Sequence, residues 1–138
     1  MALISACSTP QSSGPSTSWR AFYDSYPTEL YDALAAYCSG PTREFTPPKG
    51  GRVECREYLP AATSAAVTLR FDGRPDALPR LVIRYDAQER DGGYLVENKI
   101  LIDVPQKSGD DLTVPQNDPR LASQVSELYE RTGGTLVP

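Results

Sequence analysis

The spacing of apolar residues changes period partway along this chain, and that change limits its folds more than any other feature. From residue 94 to 104, Tyr94, Val96, Ile100, Ile102 and Val104 alternate with Glu97, Lys99 and Asp103. Successive strand side chains point to opposite faces, so a period of two predicts a strand with one dry face and one wet face. Leu81, Ile83 and Tyr85 alternate likewise with Val82 and Arg84, and Val53, Cys55 and Leu59 with Arg52, Glu54, Arg56 and Tyr58. Ala65, Val67, Leu69 and Phe71 alternate with Thr68 and Arg70. "DGRPDALP" and "DAQERDGG" are turn sequences between these runs. Four strands with short polar connections predict an antiparallel meander.

Outside this block the period is helical. Trp19, Phe22, Tyr26, Leu30, Leu34 and Tyr37 recur every three or four residues. Pro27 interrupts them, which predicts a short first turn and a main helix over residues 27–38, with Ser25 as its cap and Gly40-Pro41 as its end. Residues 42–51, "TREFTPPKGG", read as a loop because of their Pro-Pro and Gly-Gly pairs. Residues 105–117 read as a second loop, with a short extended piece at 112–114. Asp118-Pro119 is a helix start, Leu121, Val125 and Leu128 form a stripe, and Gly133-Gly134 ends it. The expected fold is therefore α+β: a two-layer sandwich with one helix before and one after a four-stranded antiparallel meander, both on its apolar face.

Composition removes several chemistries. There is no histidine, the formal net charge is −4, and no apolar run approaches the ~20 residues that span a bilayer. An acidic chain is a poor fit to nucleic acid, because phosphate neutralisation by cations supplies most of that affinity. The usual general base and the commonest metal ligand are missing with histidine. Lys49, Lys99 and Lys107 are the lysines, and none stands in a Ser-x-x-Lys arrangement. No phosphate-binding glycine motif, calcium loop or zinc spacing is present, so no metal and no cofactor is expected. The domain is accordingly read as non-catalytic. A carboxylate hydrolase requires Asp103, Asp110, Asp111 or Glu57 to converge in one cleft.

The first residues carry the sharpest signal. Ile4-Ser5-Ala6-Cys7 follows Leu3, and residues 8–18 contain only Ser, Thr, Pro, Gln and Gly. Such a segment cannot bury enough surface to offset its ordering entropy. This tetrapeptide and tether resemble the end of a bacterial lipoprotein signal and the linker behind it. The competing reading is an incidental thiol at Cys7 in a disordered start. The resemblance implies lipidation at Cys7, a tether over residues 1–18 and one folded domain over 19–138. It also implies a place in the bacterial cell envelope facing the periplasm, on the outer membrane rather than the inner. In that oxidising compartment Cys38 and Cys55, left over once Cys7 carries lipid, are expected to pair, the alternative being two buried free thiols.

The expected partners are the membrane, through the lipid, and an envelope protein. The wet sheet face, with Arg52, Arg56, Arg70 and Arg84 beside Glu54, Glu97 and Asp103, is the expected docking surface, unless those charges only pair among themselves. A small-ligand or lipid-binding domain, with a tyrosine-lined cavity between helices and sheet, is the alternative.

Overall fold

Strand β5 (Gly93–Val104) is the axis of the molecule. It pairs along its whole length with β4 (Arg80–Arg90), so that Val96, Asn98, Ile100 and Ile102 stand beside Ala87, Tyr85, Ile83 and Leu81. The computed structural model describes residues 18–138. Ile4-Ser5-Ala6-Cys7 and nearly all of the tether lie outside the described residues.

The chain runs β1 (Ser18–Tyr23), α1 (Thr28–Tyr37), β2 (Arg43–Lys49), β3 (Arg52–Tyr58), α2 (Ala61–Arg70), β4, β5, β6 (Leu112–Pro115), α3 (Pro119–Arg131) and β7 (Thr135–Val137). Its strands form one antiparallel seven-stranded sheet in the order β2-β3-β4-β5-β1-β7, with β6 also on β5. The α+β class holds, but the four-stranded meander with two helices does not: the sheet is wider and α2 is a third helix.

Each departure has a physical cause. Residues 65–71 alternate like a strand, but 65–70 belong to α2 and Phe71 is its C-cap, because Ala61, Ala62, Ala65 and Ala66 are the strongest helix formers. Leu69, assigned to the dry face by alternation, is 84% exposed. Arg70 therefore leaves the sheet face and lies over the Phe71 ring. Residues 18–23 form β1 instead of a helical turn, with Trp19 and Tyr23 flanking the fully buried Ala21 on the core side. Alanine is a faint mark of a strand face, so that period of two was hidden. Pro47 and Pro48 lie in β2, at the sheet edge, where a missing N–H costs no ladder bond. Ser25 does not cap α1: Pro27 occupies the cap position and no side-chain bond is made there.

The start of α3 matches its sequence, with Asp118 accepting from the Arg120 amide at 2.8 Å. Its end is a Schellman turn: Gly133 takes φ +93°, and the Gly134 amide donates to the Tyr129 carbonyl. That left-handed turn sends the chain back to pair with β1 as β7.

Helices α1 and α3 cover one sheet face. Leu30, Tyr31 and Leu34 from α1 and Val125 and Tyr129 from α3 join Ala21, Val53, Cys55, Tyr85, Val96 and Ile100 in one core. Cys38, just past α1, is bonded to Cys55 on β3 with a Cα–Cα distance of 5.8 Å.

Candidate functional sites

The face of the sheet away from α1 and α3 carries charge in ordered pairs. Glu54 accepts from Arg56 at 2.7 Å and from Arg84 at 3.2 Å, and Arg56 reaches on to Asp103 at 3.2 Å. Arg52 donates to Asp86 at 2.7 Å, and Lys99 stands 3.4 Å from Glu97. Burial works against the Arg56 charge, and Glu54 and Asp103 more than offset it, so this guanidinium holds its proton more firmly than a free one. Val82, fully buried, lies in register between Arg56 and Leu101. Of the four arginines expected on this face, Arg52, Arg56 and Arg84 are there and their charges are matched; Arg70 is on α2.

Toward β2 the same surface hollows. Pro41, Thr42, Arg43, Glu44, Arg56, Tyr58 and Arg80 line a depression of about 290 Å³. Arg80 lies 4.7 Å from the Tyr58 ring centre, donates to the Tyr58 hydroxyl at 2.8 Å and pairs with Glu44 at 3.1 Å. Arg43 lies over the Tyr37 ring at 4.4 Å and donates to Glu57 at 2.9 Å. The arginine side chains of Arg43 and Arg56 are 35% and 33% exposed, against 15% for Glu57 and 12% for Glu54. In the Arg80–Glu44 pair the order is reversed, 31% against 67%, so the hollow presents both signs of charge. Sequence reasoning missed Arg43 and Arg80, because Pro47-Pro48 made residues 42–51 read as a loop; Gly50-Gly51, both at positive φ, is the hairpin turn between β2 and β3 that could have shown the strand.

The opposite face has an apolar cleft between α1 and α3, of about 270 Å³. Leu81, Ile83 and Tyr85 of β4 and Ile100 of β5 form its floor. Ala33, Leu34 and Tyr37 form one wall, and Leu121, Gln124, Val125, Leu128 and Arg131 the other. Two of the tyrosines, Tyr37 and Tyr85, line it; Tyr26 instead packs edge-on against Tyr31 and Tyr94. Burial raises the Tyr85 hydroxyl well above the ordinary phenol range, which keeps it a neutral donor.

The carboxylates of the hydrolase reading are not brought together. Asp103 pairs with Arg56 on the charged face, whereas Glu57, in register with Leu81, faces the helix side and binds Tyr37 and Arg43. Asp110 and Asp111 are exposed in the loop before β6. Among the described residues no group of three His, Cys, Asp or Glu side chains is placed to hold a metal ion, and no helix is long and apolar enough to cross a membrane.

No family model, curated protein or solved structure matches the chain. Function is therefore argued from the two surfaces alone.

Proposed function

We propose that this chain is a bacterial envelope lipoprotein, anchored through Cys7, whose domain is a non-catalytic interaction module facing the periplasm. The disulfide between Cys38 and Cys55 supports the compartment, since such bonds persist where the surroundings are oxidising. The Ser/Pro-rich residues 8–18 suit a tether between lipid and domain.

The observation that carries the interaction reading is the hollow beside β2. Arg80 is already held on Tyr58, so little of its side-chain freedom remains to be lost on binding. Tyr and Arg are the residues that dominate interface energetics. The hollow offers Arg56 and Arg80 together with the exposed Glu44, so the complementary partner is a protein surface that carries both signs of charge.

A photo-crosslinker replacing Tyr58 in the native envelope tests this. The expected result is a discrete adduct that disappears with Arg80→Glu and is absent when the same group replaces Leu69 on the far helix. Equal labelling from both positions, or an adduct indifferent to Arg80→Glu, contradicts it. A second reading, a small-ligand site, is favoured by the cleft between α1 and α3.

A further inference from the structure

We propose that the cleft between α1 and α3 binds a single aliphatic chain ending in a carboxylate, that is, a free fatty acid. This goes beyond the interaction surface and does not depend on it, because the two lie on opposite faces of the sheet.

Leu34, Leu81, Ile83, Ile100, Leu121 and Leu128 give the cleft a lining that solvates hydrocarbon. At about 270 Å³ it lies just below the usual range of ligand sites, which suits one short chain and leaves no room for a diacyl lipid. Two polar groups mark one end. Tyr85 is only 2% exposed, yet its hydroxyl has no hydrogen-bond partner among the described residues. Among the described residues the unpartnered side-chain atoms shut off from solvent are Ser64 Oγ and Asn98 Oδ1, so the Tyr85 hydroxyl is reachable from the cleft and is free to donate to a group bound there.

The second group is Arg131, which lines the same cleft and has no ion-pair partner among the described residues. Tyr85 packs edge-on against Tyr129 at 5.9 Å, and Tyr129 and Arg131 share the last turns of α3. Tyr85 and Arg131 thus lie by the C-terminal end of α3, and Leu121 by its N-terminal end. A carboxylate at the first end meets a neutral donor and a cation together, and the chain runs from it over the aliphatic floor.

Calorimetric titration of the oxidised full chain with sodium dodecanoate, below its micelle concentration, provides the test. The expected result is saturable one-to-one binding, weakened about tenfold by Arg131→Gln or by exchanging the acid for dodecanol, the usual contribution of a charge-assisted hydrogen bond. Ala33→Trp, which adds bulk to one wall without removing a core side chain, should abolish it. Should that variant fail to fold, Tyr85→Phe gives the same reading and should weaken binding severalfold. No saturable heat, equal affinity for dodecanol, or binding untouched by these changes overturns the proposal. So does a concentration-dependent dimer that dodecanoate leaves intact, because the cleft would then be an interface between copies. Arg80→Glu leaves the cleft intact, so failure here and failure of the interaction surface are separate outcomes.

Discussion

Tyr85 and Tyr129 meet edge-on in the core, but only one of the two hydroxyls is matched: Tyr129 donates to the Trp19 carbonyl at 2.8 Å. Tyr129→Phe is expected to cost about 1 kcal/mol, the net contribution of a hydrogen bond whose acceptor is then stranded. Tyr85→Phe removes a hydroxyl without a partner, so stability should stay level or rise by up to about 1 kcal/mol. Urea unfolding of the two single variants measures both, and equal losses would sink the distinction. The partner of the Tyr129 hydroxyl could not be read in the sequence. The alternation of Leu81, Ile83 and Tyr85 does place Tyr85 on the dry face, but its neighbour Tyr129 comes from a helix 44 positions further along. Arg131 was likewise only a basic residue near a helix end.

Helix α1 is held to the sheet at both ends, by the Tyr31 hydroxyl on the Gly51 carbonyl and by the bond from Cys38 to Cys55. The closed loop has a sequence separation of 17, which the chain-entropy account values at about 3 kcal/mol. Replacing both cysteines with alanine should lower unfolding free energy by about that much and loosen α1 first. Amide exchange that accelerates over residues 28–37 ahead of β4 and β5 is the expected signature; uniform acceleration would contradict it. Elements with long, clean patterns (β4, β5, α3) were legible because each carries its own period and its own stop. Of those missed, β1 and β7 have remote partners, whereas β2 pairs with the next strand and was hidden by Pro47 and Pro48; a strand's face is fixed by pairing as much as by composition. Residues 61–70 were misread because valine, leucine and phenylalanine alternate there by accident, while alanine's helix preference decides the outcome.

The molecule as a whole should lose stability in alkali. Burial raises the hydroxyls of Tyr129, Tyr85 and Tyr31 above the phenol's usual range. In the unfolded chain these tyrosines ionise near pH ~10, whereas in the fold they keep their protons above it. Above about pH 10 the unfolded state binds fewer protons, so stability is whole below that point and falls as pH rises through it. Thermal melts from pH 8 to pH 12 should show a flat region followed by a steep decline. Tyrosinate absorbance should appear first from the exposed rings and later, together with unfolding, from the buried ones. A fully reversible phenol titration in the folded state would contradict the burial.

Two faces with different chemistry, one of paired charges and one apolar, suit a tethered binding domain, and the proposal that this is one requires delivery to the envelope. The most direct measurement is therefore the intact mass of the product made from the gene with its natural upstream region, after fractionation of the cells. The account predicts a membrane-fraction chain that begins at Cys7, carries added diacylglyceryl and fatty-acyl mass, and contains the Cys38–Cys55 bond. A soluble product that retains residues ahead of Cys7 without added lipid would contradict it.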